Sequence, residues 1–155
     1  MSSQALHLFR RFGTSSLGRW FVSRAICFRA PYFASIRPTI EVLEPGCCVV
    51  RIRDRRRVHN HIGTVHAIAL CNMAELAGGL ATDATIPDAM RWIPKGMSVR
   101  YLKKATGPMT ATARVPDIAA AASGSEAHVM VEVRDAAGEA VFDADITMWI
   151  SPRKA

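Results

Sequence analysis

The feature that most constrains this chain is the run from Val65 to Ala81, in which Asn72 and Glu75 are the only strongly polar side chains after His66. A helix that is apolar on every side has no face to give to water, so it belongs inside a protein. Its 17 residues, at about 1.5 Å each, make a rod roughly 25 Å long, near the lower limit of a membrane span. A carboxylate in its middle and small residues toward its end point instead to a core helix wrapped by other elements.

Glu75 is then the odd residue. Burial without a cationic partner disfavours the charged carboxylate, which predicts a raised pKa and a group suited to act as a general base. Asn72 lies one turn earlier on nearly the same face, where it can orient Glu75. The structural alternative is an internally hydrogen-bonded acid. Gly78 and Gly79 each weaken a helix by up to about 1 kcal/mol, so something must approach closely there: an acyl chain, a strand or another subunit's helix.

The start of the run carries different chemistry. Thr64, after Gly63, is the expected N-cap, and the N–H groups that follow, including that of Ala67, lack partners inside the helix. Such groups at a positive dipole end suit a developing oxyanion. His66 and Asn60 stand beside that end. Their plain alternatives are a histidine that holds the helix start and an asparagine that stabilises a turn. His66 and Glu75 are nine positions apart, or about 13 Å along the rod on opposite sides. One chain cannot bring both to one substrate, so a shared site requires two copies related by two-fold symmetry.

The order Asn60, Gly63-Thr64, His66 and an acid nine positions later resembles the central-helix motif of hotdog-fold acyl-CoA thioesterases of the phenylacetate-pathway type. The likeness is to a branch with an added N-terminal helix, and it covers roughly residues 37–152. It implies an antiparallel sheet around a long helix. Asn60 and the N–H of Ala67 would bind the thioester carbonyl, and Glu75 of the partner chain would attack it or activate water. His66 would shape that site, with Gly63, Thr64, Asn72 and Gly79 beside the substrate. Many relatives carry two glycines after the histidine, where this chain has Ala67 and Ile68, and a side chain there narrows the approach to the backbone.

The rest of the chain agrees with an α+β plan. Thr39–Leu43 and Cys47–Asp54 flank Pro45-Gly46 as a hairpin, and residues 83–88 read as a loop. Strand character then returns at Arg91, with Met97, Val99 and Tyr101 alternating against polar partners. It continues at Met109–Val115, at Val129 to Val133, and from Phe142 to Ile150. Residues 116–125 read as a low-complexity connection with one short helical turn.

Two units follow: a basic amphipathic segment over residues 1–36 and a hotdog domain over residues 37–155. Up to Ile40 there are six arginines and no acidic residue, interleaved with Phe12, Leu17, Trp20, Phe21 and Phe28. This fits a helix packed on the domain or lying on an anionic membrane surface. A mitochondrial transit peptide and nucleic-acid binding are the alternatives. The four cysteines follow no disulfide or metal spacing, which suits a reducing, cytoplasmic setting. His59, His61 and His66 lack a further ligand at a convincing spacing, so no metal is expected. Arg55 to Arg57, Arg100, Lys103 and Lys104 form either a solvated face or a cradle for coenzyme A phosphates.

The expected activity is therefore hydrolysis of an acyl-CoA or acyl-carrier thioester by a homodimer or tetramer, with coenzyme A only as part of the substrate and no separate cofactor. The alternatives are a hydroxyacyl-thioester hydratase or dehydratase, and a non-catalytic acyl-thioester-binding protein.

Overall fold

A computed structural model describes residues 3–116 and 124–153. Two helices open the chain, α1 (Gln4–Phe12) and α2 (Ser16–Arg29), followed by a 3-10 turn at Pro31–Ile36. Then come β1 (Thr39–Glu44), β2 (Cys47–Ile52), a second 3-10 turn at Arg56–Val58, and the long α3 (Ala67–Thr85). Four strands complete it: β3 (Met90–Tyr101), β4 (Met109–Arg114), β5 (Ser125–Arg134) and β6 (Ala140–Pro152).

The strands form one antiparallel sheet in the order β1-β2-β4-β5-β6-β3. Alternation supplies its inner face: Ala111, Ala113, Val129, Val131, Val133, Phe142, Ala144, Ile146 and Met148 are all buried, and they close on Leu70, Met73, Ala74, Leu76, Ala77 and Ala81 of α3. This is the hotdog arrangement expected from the resemblance. The expected short helical turn within residues 116–125 lies largely outside the described residues.

The helix differs from expectation at both ends. It begins at Ala67 with His66 as its N-cap, the Nδ1 of His66 accepting from the N–H of Ile68 at 3.0 Å. Thr64 is instead part of the preceding loop. The helix also runs through Asp83, read above as loop, to Thr85. There the hydroxyls of Thr82 and Thr85 bond back to Gly78 O and Ala81 O at 2.7 and 2.5 Å, and Pro87 then ends it. Turn-forming residue types gave way to local hydrogen bonds.

The two sheet edges are treated differently. Along β1 the Ile40 N–H donates to Ser23 Oγ at 2.9 Å, Arg24 donates to Pro38 O at 2.5 Å, and Arg19 pairs with Glu41 at 3.0 Å, so α2 covers that edge. Among the described residues β3 pairs only with β6, and it leaves Ile93, Met97 and Tyr101 exposed. Pro94, which has no N–H to offer, sits at its bulge.

Candidate functional site

The loop before α3 is built around Asn60. Its Oδ1 accepts from the N–H groups of Ile62 and Thr64 at 3.1 Å each, and its Nδ2 donates to Thr64 Oγ1 at 2.7 Å. The Asn60 N–H reaches Thr64 O at 2.8 Å, and that of Gly63 reaches Asn60 O at 3.2 Å. Gly63 turns the chain with φ +79°, where a side chain is strained. His59 and Val65 then close the loop as a β-bridge, and the His66 N–H donates to Val58 O at 2.8 Å.

This loop sets the helix start in a fixed pose. Because His66 Nδ1 is an acceptor, the neutral ring carries its proton on Nε2. Ile68's N–H is taken by that ring, while the N–H of Ala67 has no partner among the described residues. Asn60, Gly63, Thr64, His66 and Ala67 thus stand together at one helix end.

Glu75 and Gly79 lie elsewhere. Ile68, Cys71 and Glu75 form an unburied stripe along α3, with Ile68 54% exposed. The expectation of an acid stranded in an all-apolar interior is therefore corrected for the single chain: Glu75 is exposed and has no hydrogen-bond or ion-pair partner among the described residues. The residues on either side of Glu75, Ala74 and Leu76, are buried, and composition alone does not say which face of the helix the carboxylate takes.

Glu75 forms part of the wall of a cavity of about 700 Å³ between α3 and the N-terminal helices. Leu8, Ile26, Phe33, Leu76, Leu80 and Trp92 give it an apolar lining, with Arg29 and Arg153 as cations. Gly79 also lines it, and the neighbour implied by that glycine is Trp92: a Cβ on Gly79 would fall 2.8 Å from the indole Cη2. A Cβ on Gly78 would fall 2.8 Å from Ile146 Cδ1, so strands, not a ligand, account for both glycines. The indole Nε1 donates to Asp83 at 3.3 Å, and the other oxygen of Asp83 accepts from Ser3 Oγ. Ser3 is also the N-cap of α1, so one carboxylate fastens the first helix to the third.

Asn72 is buried, at 5% exposure, and donates to Ser35 Oγ at 3.0 Å. It makes no bond to Glu75, and its Oδ1 is unpartnered among the described residues. Of the histidines considered for a metal, His59 is bonded to Asp54 and His66 caps α3. Of the possible phosphate-binding cations, Arg100 is held by Asp143 at 2.9 and 2.7 Å, and Lys103 by Glu139 at 3.2 Å. Cys71 Sγ lies 3.4 Å from Tyr101 Oη. That bond, followed by partial burial and the nearby thiolate charge, pushes the Tyr101 pKa up to about 12.

A family model described as a domain of unknown function, DUF4442, matches residues 18–150, from α2 to the last strand. The chain belongs to the DUF4442 family. A crystal structure named "genomics APC5556" is 42% identical to this DUF4442 chain, with 96% of this chain and 98% of that one covered and a TM-score of 0.83. The Pseudomonas aeruginosa protein PA5026, described as of unknown function and a probable thioesterase, is 25% identical over 82% of this chain and 91% of its own, with a TM-score of 0.74. Thioesterase HI1161 from Haemophilus influenzae shares the fold at 13% identity, with 78% and 82% covered and a TM-score of 0.69. Comparison with proteins of curated function finds no match. The DUF4442 chain thus has the α+β hotdog fold of these thioesterase-family structures.

Sequence reasoning missed Ser3, Asp83, Trp92 and the cavity-facing residues of α1 and α2. They come from distant segments, and no local spacing marks them. Only the glycine pair hinted that a bulky partner sits there.

Proposed function

We propose that this protein is a hotdog thioesterase that hydrolyses an acyl thioester at a site completed by a second copy. The observation that carries the reading is the division of the candidate residues: a free backbone donor at the start of α3 and an unpartnered carboxylate on an open stripe farther along it. A two-fold axis running beside that stripe would bring each end to the other. The open β3 edge and the exposed Ile68, Ile93, Met97 and Tyr101 are what such an interface would cover. The description of PA5026 as a probable thioesterase agrees with it.

In this scheme the Ala67 N–H and the Asn60 amide polarise the thioester carbonyl. Glu75 of the opposing chain takes a proton from water as the water oxygen bonds to the carbonyl carbon. Collapse of the tetrahedral intermediate breaks the C–S bond, and the proton leaves with the thiol. The cavity beside Glu75 receives the acyl group, and its lining favours a chain over a compact polar acid.

The test is thiol release from short, medium and aromatic acyl-CoAs by the full chain, with Glu75→Ala as the control. The scheme expects the variant to lose on the order of 10²-fold or more while keeping its thermal midpoint. Equal rates for the two proteins would end it. A second reading is an acyl-thioester-binding protein. It is favoured by the engagement of Asn60 within its own loop and of the Ile68 N–H by His66. Stabilisation by acyl-CoA without thiol release would select it.

A further inference from the structure

The face of α2 turned away from the domain is unusual. At about 100° per residue, Leu17, Trp20, Phe21, Arg24 and Phe28 fall within one stripe, with the buried Val22 and Ser23 on the far side of the helix. Leu17 is 76% exposed, Trp20 56%, Phe28 90%, and the following Tyr32 69%. Soluble surfaces scatter such residues singly, whereas here they are contiguous. At one end, Arg11, Phe12, Leu17, Trp20 and Phe21 share an open depression, in which Phe12 and Phe21 meet edge to face at 5.8 Å and the Arg11 guanidinium lies 5.2 Å from the Phe12 ring centre.

The charge carried by the N-terminal helices themselves is all positive, and of it Arg19 is neutralised by Glu41 of β1. Residues 1–40 hold six arginines and no acid; Arg10 and Arg11 of α1 are exposed and make no ion pair among the described residues, whereas Arg29 turns to the cavity beneath the helix. The surface also lies at the β1 side of the molecule, at the opposite sheet edge from the open β3 strand, so closing that edge with a second copy would not require it. An apolar, aromatic stripe bordered by unpaired guanidinium groups is complementary to a surface that offers acyl chains beneath anionic headgroups.

We propose that the outer face of α2, with Arg10 and Arg11 of α1, docks this protein onto an anionic lipid bilayer, α2 lying in the interfacial plane. Leu17, Trp20, Phe21 and Phe28 enter the headgroup boundary, and the arginines meet phosphate and carboxylate groups. The proposal does not rest on thioester hydrolysis.

The experiment is co-sedimentation of the full chain with phosphatidylcholine vesicles, with and without phosphatidylserine. Arg10→Gln/Arg11→Gln and Leu17→Ser/Phe28→Ser are compared with wild type, and circular dichroism and thermal midpoint serve as the folding checks. Wild type should bind the anionic vesicles and dissociate as salt rises. Removing two arginines should weaken partitioning about thirtyfold, and the Leu17/Phe28 pair should weaken it at least about tenfold. Brominated lipid should quench tryptophan emission in wild type and lose that effect in Trp20→Phe. Absence of binding, equal binding to neutral and anionic vesicles, or unchanged binding by a folded Leu17/Phe28 variant would each overturn the proposal. So would dissociation of an oligomer by that variant, which would make a second copy the occupant, or capture of an oligonucleotide through Arg10 and Arg11 with no vesicle binding.

Discussion

Replacing Gly79 with alanine sets two effects of known sign against each other. Alanine is favoured over glycine within a helix by about 1 kcal/mol, so an unobstructed substitution would stabilise the protein. Here the new methyl would lie 2.8 Å from Trp92 Cη2 and 3.5 Å from Cζ2. The rigid indole cannot swing aside without giving up its bond to Asp83 at 3.3 Å. Overpacking of this kind costs about 1–3 kcal/mol, so the net change should be a loss of about 1 kcal/mol, or a fall of roughly 2–4 °C in thermal midpoint for a chain of this size. In a Trp92→Phe background the obstructing atoms are gone, and Gly79→Ala should become neutral or stabilising. Urea unfolding of all four proteins gives the coupling energy, expected at about 1–3 kcal/mol. A stabilised Gly79→Ala in the wild-type background, or the same change in both backgrounds, would refute the contact.

Gly63→Ala meets no atom within 4 Å, so its cost comes only from φ +79°, about 1–2 kcal/mol by denaturant unfolding. Ser3→Ala removes both the α1 cap and the link to Asp83. Amide exchange in residues 4–12 should accelerate about fivefold or more, with the sheet unchanged. Tyr101 should titrate near pH 12 by absorbance of the phenolate. Because its folded pKa is raised, the stability it contributes is present below pH 10 and lost as pH rises toward 12. Cys71→Ala should return the titration toward the ordinary tyrosine range.

The sheet was legible because apolar and polar residues alternate plainly in β5 and β6, and the central helix because so little in Val65 to Ala81 is polar. Composition could not say that Glu75 faces outward, since the buried Ala74 and Leu76 on either side of it make the stretch read as core throughout. The N-cap was misassigned to Thr64 because threonine is a common cap, and an imidazole nitrogen serving in its place leaves no familiar pattern. Gly63 and Asn60 were recognisable as a turn and as candidate binding groups at once. The bonds around Asn60 account for the turn. The cavity was invisible because its opposing walls come from segments far apart along the chain, such as Ser3 and Asp83, which are 80 positions apart.

The latch from Ser3 through Asp83 to Trp92, with Leu6 anchored in the core, sets the height of the cavity's roof. Changes within the first dozen positions would raise, lower or tilt it. Relatives sharing one framework could therefore differ in what they accommodate through their opening helix alone, leaving the residues around the rod's beginning untouched.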